Sequence, residues 1–309
     1  MGDGTRENPY TREDVLRLIE ENGGQAEGLD LSEKQFQKGI DLHILDLKGI
    51  VLEDAHLEGA ILRGAHLEGA NLMVAHLKCA SLLGAHLKGA KLLRAHLEGA
   101  DLRRAHLEGA NLGLAHLKGA DLDDAHLEGA YLAGLELAHD TKLQNVHWGN
   151  YILMEETDRH FDKAVDSYRR LKQWYTNEGI YDVAGEFFFR EMEAKRKSLS
   201  WTPQPQHRFW LSIHAFVSGY GERPSSVVRW AVIWIFGLAV IYYMLGATWS
   251  LSAAWDSLYF SIVSFTALGY GSWVSSTNEW MKGIGALESF MGVFTIALFL
   301  VTFTRKMRR

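Results

Sequence analysis

A stretch of eight residues, Ser264 to Gly271, carries the residue types best suited to binding an ion. It reads SFTALGYG and lies between two long apolar spans. A helix that ends at these glycines directs the negative end of its dipole toward them, which favours a cation. Glycine also permits the backbone angles that aim successive carbonyl oxygens to one side. The chemistry predicted for this stretch is therefore cation coordination by backbone oxygens.

Two apolar spans must hold this stretch at membrane depth. Trp230 to Ala247 is an uninterrupted apolar run of 18 residues, just long enough as a helix to cross a hydrocarbon core of about 30 Å. The first span is predicted over about 227–248, the second over about 284–304, and a re-entrant helix over about 252–266. Irregular backbone at that depth is tolerated only where it is buried or lines a water-filled path. The alternative for the first span is a buried core helix of a soluble domain, but the run has no polar face.

Basic residues predict the orientation of the spans. Arg223 and Arg229 lie at the start of the first span, and four basic residues follow the second span at 305–309. The connecting segment, 248–283, has a single basic residue, Lys282. Because positive charge stays on the cytoplasmic side, both termini are expected in the cytoplasm, as parts of a multi-pass plasma-membrane protein. The polar N-terminus has no apolar core, so no secretory signal peptide is expected.

The stretch AWDSLYFSIVSFTALGYGSW and its flanking spans, about 226–309, resemble the pore region of two-span potassium channels. The resemblance implies an all-α pore domain in which filter carbonyl oxygens replace the hydration shell of a permeant K⁺ ion. It implies a homotetramer, because one chain supplies only one side of a carbonyl ring. The filter residues it implies are Thr266, Ala267, Leu268, Gly269, Tyr270 and Gly271.

Two positions depart from that family pattern. Ala267 stands where a filter threonine is usual, so no hydroxyl completes the innermost ion site, and Thr266 is one position too early to replace it. Ser272 stands where the family commonly has an aspartate that clamps the filter from behind. A cation pore is therefore predicted, while the preference for K⁺ over Na⁺ stays open.

Further residues are candidates for roles around the filter. Glu288 is an acid inside the second span, where it can bond behind the filter or reach the outer interface. Together with Ser272 and Trp255 it forms the predicted filter support. Gly292 resembles the hinge glycine of inner pore helices, with close helix packing as the alternative.

The N-terminal half is a repeat. From Ala55 to Gly134 the sequence runs in register as A-x-L-x-x through sixteen five-residue units, and the pattern breaks at His139. A period of five fits neither a helix nor a plain strand and indicates a solenoid. The pattern resembles the pentapeptide-repeat family, which implies a right-handed quadrilateral β-helix with four units per coil. Leu and the Ala two residues before it are expected to fill its narrow core.

Histidine precedes the central Leu in every second unit. With four units per coil, these residues predict two outward ladders with rungs about 4.8 Å apart. One ladder is His56, His76, His96 and His116, and the other is His66, His86, His106 and His126. Stacked imidazoles are able to meet a transition metal or to respond to pH. The alternative is a solvated face copied by repeat duplication, since no carboxylate or cysteine completes a metal site in a fixed pattern.

The sequence divides into four predicted parts. These are an N-terminal cap region at 1–39, the β-helix at 40–150, a helical connector at 151–222 and the pore domain at 223–309. The connector is expected to hold an antiparallel helix pair rich in aromatic residues. A further helix at 207–220 either lies on the inner membrane surface or packs as an ordinary helix.

Composition excludes several functions. The net charge of −6 argues against a nucleic-acid partner, and Cys79, the only cysteine, cannot form an intrachain disulfide. Residues 55–134 carry nine acids and eight bases, which makes DNA mimicry by an acidic face a poor fit. No nucleophile–base pair or phosphate-binding loop stands out, so no enzyme activity and no cofactor are expected.

The predicted function is a homotetrameric cation channel that conducts K⁺ and whose cytoplasmic repeat domain serves assembly, tethering or gating. Its expected partners are the lipid bilayer, further copies of the chain and an unidentified cytoplasmic partner of the repeat domain. The alternative is a membrane-anchored pentapeptide-repeat interaction scaffold with a non-conducting or poorly selective pore.

Overall fold

The computed structural model describes residues 2–199, 205–245, 251–266 and 279–307. The chain separates into two compact units. We call Met1–Ser198 the repeat unit and Leu199–Arg309 the membrane unit.

In the repeat unit, the A-x-L-x-x pattern sets both the core and the turns. The first-position Ala and third-position Leu side chains of the A-x-L-x-x units from Ala55 to Leu132 are at most 2% exposed. Small and large side chains alternate there and fill a narrow interior without leaving room for water. The fifth residue of each five-residue unit adopts a left-handed backbone conformation, mostly as glycine, as at Gly69 with φ of 68°. Glycine meets no steric penalty in that conformation, which explains its place in the repeat.

Successive coils are joined by isolated parallel β-bridges between residues 20 apart, such as His56 with His76 and Ile61 with Ser81. The backbone N–H of Leu57 donates to the carbonyl of His76 at 2.9 Å, and the N–H of His76 donates to the carbonyl of Ala55 at 2.9 Å. Each coil has four such bridge positions, one in every five-residue unit. The described residues contain no extended strand, so the right-handed quadrilateral β-helix stays a prediction at this level.

The coils continue beyond the perfect repeat at both ends. Near the N-terminus, α1 (Arg12–Glu21) begins at a capping box formed by Thr11 and Asp14. Parallel bridges already join Tyr10 to Phe36 and Asp30 to Val51. At the other end, His126 pairs with His147, at a separation of 21 residues instead of 20. The pattern break at His139 is thus a one-residue insertion, after which coiling resumes.

A helix pair covers the last coil. Short helix α2 (Met154–Thr157) leads into the antiparallel pair predicted for the connector, α3 (Phe161–Asn177) and α4 (Tyr181–Ser198). The indole N–H of Trp148 donates to the Tyr175 hydroxyl at 2.8 Å, and that hydroxyl donates to the Leu143 carbonyl at 2.8 Å. These aromatic residues cover the end of the solenoid core.

The repeat unit also buries an acid at this junction. Glu155 has no exposed surface, and its Oε1 atom accepts hydrogen bonds from the Leu132 N–H at 2.8 Å and the Ser167 hydroxyl at 2.9 Å. Its other carboxylate oxygen has no hydrogen-bond partner among the described residues. Burial raises the pKa of the Glu155 carboxyl above its usual range.

The membrane unit is helical. Its elements are α5 (Pro205–Ser218), a 3₁₀ turn (Gly219–Gly221), α6 (Pro224–Leu245), α7 (Leu251–Phe265) and α8 (Glu279–Met307). Within the described residues, two segments of 22 residues are long and apolar enough to cross a membrane, Pro224–Leu245 and Gly283–Thr304. They fall where the two spans are predicted, and α7 between them falls where the re-entrant helix is predicted.

Helix α5 corresponds to the segment predicted at 207–220. Phe209, Trp210 and Phe216 are exposed on it. The Phe216 ring lies edge-on to Trp230 of α6, with ring centroids 5.6 Å apart. One aromatic residue thus packs against the first span, while others remain open to solvent or lipid.

Candidate functional site

The candidate ion pathway is organised by α7, which lies between the two apolar helices in sequence and packs against both. The ring of Phe260 on α7 meets Tyr242 of α6 edge-on, with centroids 4.8 Å apart. The helix ends at Phe265, and Thr266 is the last described residue before the predicted filter. Of the predicted site, Ala267, Leu268, Gly269, Tyr270, Gly271 and Ser272 lie outside the described residues.

Thr266 is the only predicted filter residue with described geometry. Its hydroxyl donates to the Ile262 carbonyl of its own helix at 2.8 Å, and its N–H donates to the same carbonyl at 3.0 Å. Both groups therefore help to close the last turn of α7. In this structure the Thr266 hydroxyl thus serves the end of the helix, and the register of the filter stays a prediction.

Glu288 ties three helices together. Its side chain is fully buried, and the Tyr242 hydroxyl of α6 donates to Oε2 at 2.7 Å. The Ser261 hydroxyl of α7 contacts Oε1 of Glu288 and also lies 2.9 Å from the Ile235 carbonyl of α6. A hydroxyl carries one proton, so Ser261 donates to one of these acceptors at a time. The Glu288 side chain of α8 is therefore joined to α6 and α7 through neutral hydroxyl groups.

A second contact with α8 holds the C-terminal turn of α7. The Ser289 hydroxyl donates to the Ser264 carbonyl at 2.7 Å. The last carbonyl groups of a helix have no partner within it, so this bond satisfies one of them. Ser261 and Ser289 were not singled out from the sequence, because serines within an apolar segment give no periodic signal that separates a functional contact from packing.

Gly292 lies at the closest approach of α8 to α7. A Cβ atom added at this position would overlap the carbonyl oxygen of Phe265, the last residue of the pore helix. This close approach gives direct support to the packing interpretation of Gly292. The hinge role implied by the family resemblance stays a prediction.

Trp255, the third residue of the predicted filter support, lies on an open face of α7. Its side chain is 67% exposed, and Tyr259 and Ile262 are exposed on the same helix face. Residues three and four positions apart share one side of a helix, so these side chains form a continuous apolar surface.

The two histidine ladders form as predicted. In the first, His56, His76, His96 and His116 stack with ring centroids 4.3, 4.9 and 4.9 Å apart. In the second, His66, His86, His106 and His126 stack at 4.6, 5.0 and 4.8 Å. His147 adds a further rung at 4.3 Å from His126. Sequence reasoning missed His147, because the one-residue insertion moved it out of register.

Carboxylates accompany the ladders, contrary to the expectation that none would complete a site. The residue after the central Leu brings Oε1 of Glu58 to 3.1 Å from Nδ1 of His56. The equivalent distance is 3.4 Å for Glu68 and His66. The sequence pattern did not predict these contacts, because the His and Glu side chains, two residues apart, come together only where the chain turns. Three groups of two histidines and one glutamate each hold their ligand atoms within 4.8 Å: His56, Glu58 and His76; His66, Glu68 and His86; His106, Glu108 and His126.

Comparisons with known proteins match both units. A family model described as an ion channel matches residues 229–309. A model described as pentapeptide repeats, in eight copies, matches 50–82, 80–119 and 110–139, which implies a β-helix there. No match was found among curated proteins.

Solved structures similar to this chain are themselves pentapeptide repeat proteins. One is HetL from the cyanobacterium Nostoc sp. strain PCC 7120, involved in heterocyst differentiation regulation, with 27% identity and a TM-score of 0.33. Another is Rfr23 from the cyanobacterium Cyanothece 51142, with 36% identity and a TM-score of 0.19. The match to HetL covers 43% of this chain and 56% of HetL, and the match to Rfr23 covers 36% of this chain and 66% of Rfr23.

Proposed function

We propose that this chain, which joins pentapeptide repeats in its N-terminal part to a two-span ion-channel domain at residues 229–309, is one subunit of a homotetrameric cation channel. The observation that carries the proposal is the ion-channel match over the segment in which α7 lies between two apolar helices. Thr266 to Gly271 would line the ion path with backbone oxygens, and K⁺ is the proposed permeant ion.

Assembly of several copies is supported by the open face of α7. Trp255, Tyr259 and Ile262 are exposed there in the single chain. Where several pore helices surround a central path, each has one side toward the spans of its own chain and another toward the next subunit. We therefore propose that a neighbouring copy covers this face, with four copies closing the carbonyl ring.

The buried contacts of α8 support a defined pore-helix position. Glu288 receives hydroxyl groups from α6 and α7, and Ser289 holds the Ser264 carbonyl. A filter requires its carbonyl groups to stay at fixed positions, which a loosely packed pore helix would not provide. Glu288 is therefore proposed to support the filter through α7.

The proposed location is the plasma membrane, with both termini and the repeat unit in the cytoplasm. This orientation is supported by the basic residue Arg229 within α6 and by the basic cluster after the second span. Of that cluster, Arg308 and Arg309 lie outside the described residues. In that position the repeat unit would serve assembly, tethering or gating of the pore.

Flux measurements on the full-length chain in liposomes test this proposal. With a K⁺ gradient, cation entry followed by a dye is expected, and it should exceed entry under an equal Na⁺ gradient. Equal flux of both ions would reject K⁺ selectivity. Absence of flux for either ion would contradict the channel and favour the interaction scaffold.

The residue at position 267 provides a sharper test of the filter register. Ala267→Thr adds the hydroxyl that completes the innermost ion site, so the K⁺ to Na⁺ flux ratio should rise. Gly237→Ala is a matched control, because Gly237 lies in α6 with nothing within 4 Å of an added Cβ, and it should leave the ratio unchanged. Native mass spectrometry of the same preparation should give four copies.

A further inference from the structure

We propose that the repeat unit binds divalent transition-metal ions, such as Zn²⁺ or Ni²⁺, at three sites that bridge successive coils. Each site consists of two stacked histidines and the glutamate that follows the first of them by two residues, with all three ligand atoms within 4.8 Å of one another. The three groups are His56, Glu58 and His76; His66, Glu68 and His86; His106, Glu108 and His126. In the sets that begin at His96 and His126 the histidine–glutamate distance is longer, at 3.6 Å, and their three ligand atoms do not lie this close together. This inference concerns the repeat unit alone and does not depend on ion flux through the membrane unit.

The ligand set suits this class of ion. Imidazole nitrogen is a good ligand for Zn²⁺, Ni²⁺ and Cu²⁺, and one carboxylate adds charge to a two-histidine site. Ca²⁺ and Mg²⁺ prefer six or more oxygen ligands, which one glutamate and two histidines do not supply. Water would complete the coordination shell on the outer face, where all three groups are half-buried.

The distances require only small side-chain rotations. Two ligand atoms that each lie about 2.1 Å from a tetrahedral ion are about 3.4 Å apart. The separation of His56 Nδ1 and Glu58 Oε1 is 3.1 Å, that of the His66 and Glu68 atoms is 3.4 Å, and that of the His106 and Glu108 atoms is 3.3 Å. The second histidine must turn about its χ2 torsion, which is broad and roughly two-fold for this residue.

Two further contacts fit a metal site. Nε2 of His76 lies 3.2 Å from Oδ1 of Asp54, which leaves Nδ1 of that ring for a metal ion. A carboxylate that binds the second ring nitrogen is the usual device that orients a metal-binding histidine. In addition, Oε2 of both Glu68 and Glu108 is shielded from solvent and has no hydrogen-bond partner among the described residues. A bound cation would neutralise these carboxylates.

Lysine separates the proposed sites and provides an internal control. Lys78 and Lys88 occupy, in the coils that follow, the positions of Glu58 and Glu68. The stacked pair His86 and His106, whose ring centroids lie 5.0 Å apart, therefore has no glutamate of its own. The carboxylate beside His106 is that of Glu108, at 3.3 Å, and it belongs to the third site. A lysine in place of the glutamate adds no ligand and repels a dication, although the two histidines stack as they do elsewhere.

Metal stoichiometry tests the proposal on the full-length chain, purified without a polyhistidine tag and stripped with a chelator. After equilibrium dialysis against Zn²⁺, three ions per chain are expected by elemental analysis, and Mg²⁺ should not replace them. Co²⁺ substitution should give visible ligand-field bands in proportion to the number of sites. Retention of no Zn²⁺ would overturn the proposal.

Substitution of a glutamate separates these sites from unspecific binding by surface histidines. Glu68→Gln should reduce the count to two ions, because it removes the carboxylate and leaves both histidines. Lys88→Gln is the matched control on the same ladder and should leave three, because Lys88 is not a ligand. Lys88→Glu should also leave three, because His86 and His106 are already ligands of the second and third sites. A count of three in Glu68→Gln would show that the glutamates are not ligands.

Discussion

The repeat unit and the membrane unit differ in where their apolar side chains lie. In the repeat unit, Leu97 has no exposed surface, and it lies in a row of leucines that are equally buried. In the membrane unit, Leu300 is 54% exposed, and Phe290 and Phe236 are exposed in the same way. The first unit thus buries its apolar residues within the chain, whereas the second presents them at its surface.

This difference shows where each unit obtains its stability. Burial of apolar surface in water is the main favourable term in folding, and the repeat unit achieves it alone. Large exposed apolar patches mark surfaces that contact a membrane or another protein. The membrane unit therefore presents a surface suited to lipid, while the stack of coils buries its apolar residues within itself.

The largest predicted effect distinguishes a buried leucine of the repeat unit from an exposed leucine of the membrane unit. Leu97→Ala should destabilise the coils around it by about 2–5 kcal/mol, because it leaves a cavity in a closely packed core. Leu300→Ala is its matched control and should change stability by less than about 0.5 kcal/mol, because lipid is as apolar as the side chain it replaces. Hydrogen exchange of the full-length protein in detergent, followed peptide by peptide, measures both. Equal loss of protection in the two variants would contradict the comparison.

A second prediction tests the close packing of α8 against α7 at Gly292 in the membrane unit. Gly292→Ala should cost about 1–3 kcal/mol and strongly reduce ion flux, because the added Cβ overlaps the Phe265 carbonyl oxygen and must displace α7. Gly237→Ala, on the other span, should leave flux and protection unchanged. Unchanged flux in Gly292→Ala would show that α7 and α8 can separate here without harm to the pore.

Much of the repeat unit could be predicted from the sequence, because one local rule recurs in every coil. The buried Ala and Leu residues and both histidine ladders follow from the spacing of five. The rung at His147 and the contacts of Glu58, Glu68 and Glu108 with the ladder histidines were not predicted, since the first depends on an insertion and the others on how the chain turns. In such a repeat, exceptions to the period are the informative positions.

In the membrane unit, the sequence predicted helices but not their contacts. Length and hydropathy locate α6 and α8, whereas the bond from Tyr242 to Glu288 joins residues far apart in sequence. An aromatic residue near the end of an apolar span suits an interfacial aromatic belt, yet the Tyr242 side chain is fully buried. Hydropathy cannot distinguish these two positions, because an aromatic hydroxyl suits a membrane interface and a buried acid equally well.

A third prediction concerns the exception to apolar burial in the repeat unit. Because burial raises the pKa of Glu155, the folded state keeps this proton at a pH where the unfolded state has lost it. The free energy of unfolding should therefore fall as pH rises from the usual glutamate pKa, about 4.3, to the raised value in the folded state. Protection of the peptides around 132 and 155 should decrease over this interval.

Glu155→Gln should remove most of that pH dependence, because the amide does not titrate and can still accept the Leu132 and Ser167 hydrogen bonds. Glu178→Gln makes the same change of charge at an exposed position of the helix pair and should retain the wild-type profile. A profile that is identical in all three proteins would show that Glu155 does not couple stability to pH.

The smallest predicted effect lies within the repeat itself, where a few units lack the turn glycine. Val74 has φ of 59°, a left-handed conformation that costs a β-branched residue about 1–2 kcal/mol, whereas glycine adopts it freely. Val74→Gly should therefore stabilise the neighbouring coils, by less than about 1 kcal/mol because glycine also loses more entropy on folding. Gly69→Ala, in the preceding unit, adds a Cβ atom that has nothing within 4 Å of it. Its effect therefore reports the backbone strain alone, and it should destabilise the neighbouring coils. Hydrogen exchange of the same coil peptides should show opposite signs for the two variants. If both lowered protection, side-chain contacts of Val74 would outweigh its backbone strain, and the turn glycines would matter less than the buried Ala and Leu.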